Sequence, residues 1–138
     1  RVYQLPLKTR LVMGIAGLLL VILFMLAAGL DPEPHGYGTH KQLGLPGCWF
    51  IQELNIRCPS CGMTTSWAHL MNADLLASLN ANTGGFLLAI LSLLAAPWLL
   101  ARAITGRWNL DNYKDKWVMF TIVIWICVVL IEWLIRLI

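Results

Sequence analysis

The chain has 138 residues, 59% of them hydrophobic and only 12% charged, with a mean hydropathy of +0.71. Soluble domains are about a quarter charged, so too few polar side chains remain here to coat a water-facing globule, and no basic stripe interleaved with aromatics speaks for nucleic acid. The composition therefore excludes a soluble enzyme or a nucleic-acid-binding module and points to an integral membrane protein forming one small domain over residues 1–138. The net charge of +3 is clustered along the chain, which in a membrane protein is a topology signal.

Arg1, Lys8 and Arg10 precede an uncharged run from Leu11 to Leu30. Twenty helical residues rise about 30 Å, the thickness of a bilayer core. Asp31-Pro32-Glu33-Pro34 ends the run, because proline cannot continue a helix and disfavours the α region in the residue before it. A basic start, an apolar middle and Ala27-Ala28-Gly29 also fit a cleaved leader. The run is longer than the usual apolar core of a leader, so an anchoring first span is expected over about 11–30. Gly14 and Gly17 within it allow close helix approach.

Residues 31–57 read as a polar loop rich in Gly and Pro, with His35-Gly36-Tyr37-Gly38-Thr39-His40 showing neither a helical nor a strand period. Cys48-Trp49-Phe50-Ile51 is a short apolar piece suited to the interface, where amphipathic Trp is enriched. From Pro59 to about Leu79, Met63, Trp67, Leu70, Met71, Leu75 and Leu79 recur at helical steps. Thr64, Thr65, His69, Asn72 and Ser78 fill the other positions. This predicts one amphipathic helix, too polar to span, lying on the membrane surface. Asn80-Ala81-Asn82-Thr83-Gly84-Gly85 breaks it. A second span is expected over about 85–101, with Pro97 near its end, and a third over about 117–134. The fold class is thus an all-α integral membrane protein with three transmembrane helices, plus one surface helix after a cysteine-containing outer loop.

Lys and Arg place the ends. The N-terminal segment holds Arg1, Lys8 and Arg10, and the 102–116 loop holds Arg102, Arg107, Lys114 and Lys116, whereas residues 31–84 hold only Lys41 and Arg57. The positive-inside rule puts the first two segments in the cytoplasm and the cysteine loop outside. The expected location is a bacterial cytoplasmic membrane, crossed several times, with the N-terminus inside.

The chemistry is concentrated in Cys58-Pro59-Ser60-Cys61-Gly62-Met63-Thr64-Thr65, with Cys48 upstream. Cys127 sits mid-span, where a thiol behaves as a small apolar side chain expected in the core. Three readings of the outer thiols compete. A structural disulfide from Cys48 to Cys58 or Cys61 would staple the loop to the surface helix and contribute roughly 2–4 kcal/mol. A zinc site would take Cys48, Cys58 and Cys61 with His40 as nearest imidazole, then His35 and His69, since zinc wants four tetrahedral ligands of this kind. Redox catalysis would use Cys58 and Cys61, with Cys48 as shuttle and a quinone as electron partner. A thiol at a helix N-terminus gains acidity from the helix dipole. Glu132 and Arg136 at i,i+4 read as an ordinary interfacial ion pair, and Asp74 as an ordinary surface carboxylate.

At this stretch the sequence resembles a bacterial family of small membrane proteins of unknown function, whose signature is Cys-Pro-x-Cys-Gly-x-Thr followed by a helix and an Asn-containing turn into a span. The matching residues are Cys58 through Thr64, then Asp74-Leu75-Leu76-Ala77-Ser78-Leu79-Asn80-Ala81-Asn82. The segment Asp31-Pro32 through His40, with Cys48, looks like one branch of that family. Many members carry an Arg after the Thr, where Thr65 stands here. The resemblance implies the topology and no reaction. The expectation is a non-enzymatic accessory or scaffolding subunit, docked in the bilayer on other membrane subunits, with a structural cysteine cluster. Thiol oxidoreductase and zinc site are the alternatives.

Overall fold

Pro6 is followed at once by helix α1 (Leu7–Ala28) in the computed structural model, which describes residues 2–109 and 114–138. Arg1 and residues 110–113 of the predicted basic loop lie outside the described residues. Among the described residues, helix α1, α5 (Thr83–Thr105) and α6 (Lys114–Leu137) are the three helices long and apolar enough to cross a membrane. Between α1 and α5 lie a 3₁₀ turn (Thr39–Leu43) and three short helices: α2 (Trp49–Leu54), α3 (Met63–Met71) and α4 (Leu75–Ala81). Together they cap one end of the bundle.

The first span begins four residues before its predicted start, so Lys8 and Arg10 fall inside its opening turns. Arg10 reaches across to the last turn of α5, donating from Nε to Ala103 O at 2.8 Å and from Nη2 to Ile104 O at 2.7 Å. A cation on the unpaired carbonyls of a helix C-terminus is favourable. The same two helices pack closely through glycine. A Cβ at Gly17 would lie 2.8 Å from Leu100 Cγ, and one at Gly14 would lie 3.5 Å from Ala103 Cβ. Gly14 and Gly17 of the first span are therefore covered by α5 of the same chain.

Closing that end is a feature the sequence reading lacked. Strand β1 (Val2–Gln4) pairs antiparallel with β2 (Arg107–Asn109), with Tyr3 opposite Trp108. Three-residue strands carry almost no periodic signal. They pair here because packing of α1 on α5 delivers their ends to the same place. Trp98 and Trp108 meet edge to face at 5.3 Å beside Arg102, consistent with an interfacial aromatic belt.

At the opposite end the predicted single surface helix is two. It breaks at Asn72-Ala73-Asp74, where Ala73 takes φ +61°. Asn72 Nδ2 donates to Ala68 O at 2.9 Å, closing α3, and Asp74 Oδ1 accepts from Ala77 N at 3.1 Å, opening α4. Both short polar side chains compete with the helix backbone, as they do at caps. Pro59 stands outside α3, in the cysteine turn. The buried face is also different from the predicted one. Thr65, Ser66, Ala68 and Ser78 are fully buried, while Met71 and Leu75 are exposed. Small polar residues go inside because they bond one another: Thr65 with Thr39 at 2.6 Å, Ser66 with Ser78 at 2.9 Å. Trp67 does face inward, stacked on Phe24 at 4.6 Å, with its indole N–H on Gly85 O.

Helix α6 is fixed at the cap end. The Glu132 carboxylate accepts the backbone N–H of Thr83 at 2.9 and 3.0 Å and that of Gly84 at 3.3 Å, capping α5 from another helix. Arg136 pairs with Glu132 and donates to Ala81 O at 2.8 Å. The expected ion pair exists, but it also clamps three helices. Trp125 and Trp133 add indole donors to Gly84 O and Arg57 O.

Candidate functional site

The cysteine stretch folds as a tight turn entering α3. The Cys61 N–H donates to Cys58 O at 3.0 Å and the Met63 N–H to Ser60 O at 3.1 Å. Gly62 completes it at φ +90°, and a Cβ there would lie 2.5 Å from Gly36 O and 2.6 Å from Ala81 O. Both the conformation and the space require glycine.

Asn82 ties this turn to the second span. Its Oδ1 accepts the Gly85 N–H at 2.6 Å as the N-cap of α5. Its Nδ2 donates to Cys61 O at 3.0 Å and Pro59 O at 3.2 Å. The side chain is 1% exposed, and three backbone groups converge on its one amide, with Cys61 O also reached by Arg136 at 3.5 Å. The sequence reading took Asn82 only as a helix breaker. Asn ahead of Thr83-Gly84-Gly85 and an apolar run is an N-cap pattern, which was the available signal.

The three predicted thiols converge. The Sγ atoms of Cys48, Cys58 and Cys61 all lie within 4.8 Å of one another, and those of Cys58 and Cys61 are 3.2 Å apart. Cys48 arrives as the N-cap of α2, from the far side of the loop. The expected disulfide from Cys48 to Cys58 or Cys61 is not supported, since all three are free thiols. Cys61 is packed under the turn at 7% exposure, while Cys48 and Cys58 are half-buried. Cys127, expected in the core, is exposed on α6.

Of the histidines, His40 belongs with the thiols. It lines the same cavity of about 380 Å³ as the three cysteines, Tyr37 and Thr64, although it stands outside the group of mutually close ligand atoms. Its Nε2 lies 3.0 Å from Pro46 O. A carbonyl only accepts, so Nε2 carries the proton and the neutral ring keeps its lone pair on Nδ1. His35 faces Glu33 at 3.9 Å and His69 faces Asp74 at 4.0 Å, apart from the sulfurs.

The thiols differ in acidity. For Cys48 burial opposes ionisation, but the Ile51 backbone and the Cys61 and Cys58 thiols outweigh it and bring the pKa from 9.0 down to about 7. For Cys61 burial acts first, and the neighbouring thiols add to it, pushing the pKa up to about 12. Cys48 is thus the more acidic thiol of the cluster and Cys61 a hard one to ionise, an arrangement suited to thiolate ligation or thiol exchange.

Beneath the turn lies a cationic layer. The Arg57 guanidinium rests 4.8 Å over the Tyr37 ring and donates from Nη2 to Gly36 O at 3.2 Å, while its buried Nε has no partner among the described residues. Burial, and then the charge of Arg136, pushes the Arg57 pKa down. Sequence reading used Arg57 only as a topology charge, because nothing local says that residue 136 comes to its side.

No curated protein and no solved structure matches the chain. Residues 48–96, which carry all three clustered thiols, the Gly62 turn, Asn82 and most of the second span, are similar to the family described as "Protein of unknown function (DUF2752)".

Proposed function

We propose that this is a small multi-pass membrane protein whose outward-facing cap is organised by a zinc-class metal centre. The ligands are the thiolates of Cys48, Cys58 and Cys61, and Nδ1 of His40 takes the fourth position. The convergence of three sulfurs within 4.8 Å carries this reading. Tetrahedral sulfurs at a Zn–S distance near 2.3 Å stand about 3.8 Å apart, so Cys58 and Cys61 would open by roughly half an ångström from 3.2 Å to hold the ion. The His40 N–H on a backbone carbonyl is the outer-shell bond that orients metal-bound imidazoles. When bound, zinc cross-links loop, turn and helix, and contributes folding free energy outright.

Around that centre the chain serves as an accessory subunit of a larger membrane assembly. Because Gly14 and Gly17 are already occupied by α5, the partner meets the outer faces of α1 and α6 instead. Elemental analysis of detergent-purified protein tests the metal: one zinc per chain is expected, lost on Cys48→Ser and weakened in His40→Gln. A substoichiometric content that chelator washing does not change sinks the reading.

One observation favours a second reading, thiol–disulfide exchange. The 3.2 Å approach of Cys58 and Cys61, beside the acidic Cys48, suits a dithiol that loses two electrons and two protons to form an S–S bond. The acceptor would be a quinone or a second disulfide. Intact mass with and without reduction separates the two readings, since a structural zinc site keeps all three sulfurs reduced.

A further inference from the structure

Two arginines and one carboxylate meet under the cysteine turn. Arg57 holds Gly36 O at 3.2 Å and Arg136 holds Ala81 O at 2.8 Å. These are the two carbonyl oxygens that crowd Gly62, the residue after Cys61. Arg136 is also paired with Glu132, whose carboxylate is saturated by that pair and by two N–H groups of α5. Glu33 lines the neighbouring cavities, one with Lys41 and one with Arg57, and its charged contact is His35 at 3.9 Å, with no ion pair to Arg57 among the described residues.

The layer therefore carries one uncompensated positive charge, and it belongs to Arg57. Burying such a charge costs free energy unless a negative partner is close. Its direct contacts, Gly36 O and the Tyr37 face, are dipolar, Glu132 being engaged by Arg136, and its Nε is buried without a partner among the described residues. Three thiolates around a divalent ion, with a neutral imidazole or a water in the fourth position, leave one negative charge. A monovalent ion would leave two and a trivalent ion none.

Resting on the metal reading above, we infer that Arg57 is the counter-charge of the loaded thiolate centre, and that the centre is matched to a divalent cation. Arg57 is a positioning residue here, not a ligand. The residue pair Arg57 and Glu132 makes the charge count separable from local packing. Arg57→Met keeps the apolar stem and removes the charge. Glu132→Gln keeps an acceptor for the α5 N-terminus and adds one positive unit to the layer. The double variant restores the original count.

The test is zinc affinity of the full chain in detergent, read by competition with a chromophoric chelator. Arg57→Met is expected to bind zinc about 10- to 100-fold more weakly than the parent, the range seen when outer-shell partners of metal ligands are removed. Arg57→Lys should recover most of that loss, and so should Arg57→Met combined with Glu132→Gln. Glu132→Gln alone should bind at least as tightly as the parent, which keeps the test decisive if Arg57→Met does not fold. Unchanged affinity in Arg57→Met, a double variant weaker than Arg57→Met, or weakened binding in Glu132→Gln each overturns the counter-charge. Parent protein that takes up no zinc overturns the metal reading itself.

Discussion

At the residue scale the site depends on a few side chains that each do two jobs. Asn82 caps α5 and holds the two carbonyls of the cysteine turn. Replacing it with Ala removes an N-cap, about 1 kcal/mol, and strands buried acceptors at roughly 1–3 kcal/mol more. We predict a clear drop in thermal stability in detergent for Asn82→Ala. Asn82→Asp should fall between the two, since it keeps the cap oxygen and loses the donors. Equal melting of all three proteins would refute the assignment. Cys48 gives a pH signature. Its folded pKa of about 7 lies below the ordinary 9.0, so between those values the unfolded chain binds the proton that the native state has shed. Stability of the metal-free protein should therefore rise with pH through that window and be lost as pH falls through about 7. Cys48→Ser should flatten the rise. Alkylation followed by peptide mass spectrometry should label Cys48 with a midpoint near pH 7 and leave Cys61, with its pKa near 12, unlabelled.

At the element scale the decisive contacts join segments far apart in the chain. Helix α6 approaches α5 through Glu132, Trp125 and Gly84, and the cap through Arg136 and Trp133. Helix α1 approaches α5 through Gly17, whose hydrogen leaves room for Leu100 and the Ala96 carbonyl. Gly17→Val is predicted to push these helices apart, because backbone and a branched side chain both stand in the way. The cost should be about 1–3 kcal/mol, the range for overpacking a tight contact. A cysteine pair engineered across α1 and α5 should then cross-link more slowly than in the parent background. No change in cross-linking would mean the helices do not meet there.

At the scale of the whole molecule, the bundle has one end sealed by a small ribbon and arginine-capped carbonyls, and another covered by the thiol-bearing cap. Which end faces out is a prediction of the positive-inside rule. In right-side-out vesicles a membrane-impermeant maleimide should label Cys48 without permeabilisation. Labelling only after permeabilisation would invert the topology. Removing metal with a chelator should loosen the cap and leave the spans, raising protease sensitivity within residues 31–82 while far-UV helicity changes little.

The three spans, the break after residue 30 and the special character of Cys58–Thr64 were legible from the sequence alone. Hydropathy over twenty residues and proline or glycine stops are local properties that tertiary context rarely reverses in a bilayer. Cys48 could be named as the companion of the two closely spaced thiols because residue type limits what can ligate a soft metal, and it does join them. The split of the surface helix, its polar inward face, the ribbon of residues 2–4 with 107–109, and the clamp of Glu132 and Arg136 were not legible. Each depends on where another segment lies: Thr39 makes Thr65 an inside residue, and α5 gives Glu132 two N–H groups to accept. Sequence alone defines a bundle of membrane-type helices and a distinctive cysteine stretch, because composition and period set burial in lipid. That three thiols meet, and that the Nε of Arg57 is buried without a partner among the described residues, emerges only on folding, because convergence and charge balance are properties of residues brought together from distant segments.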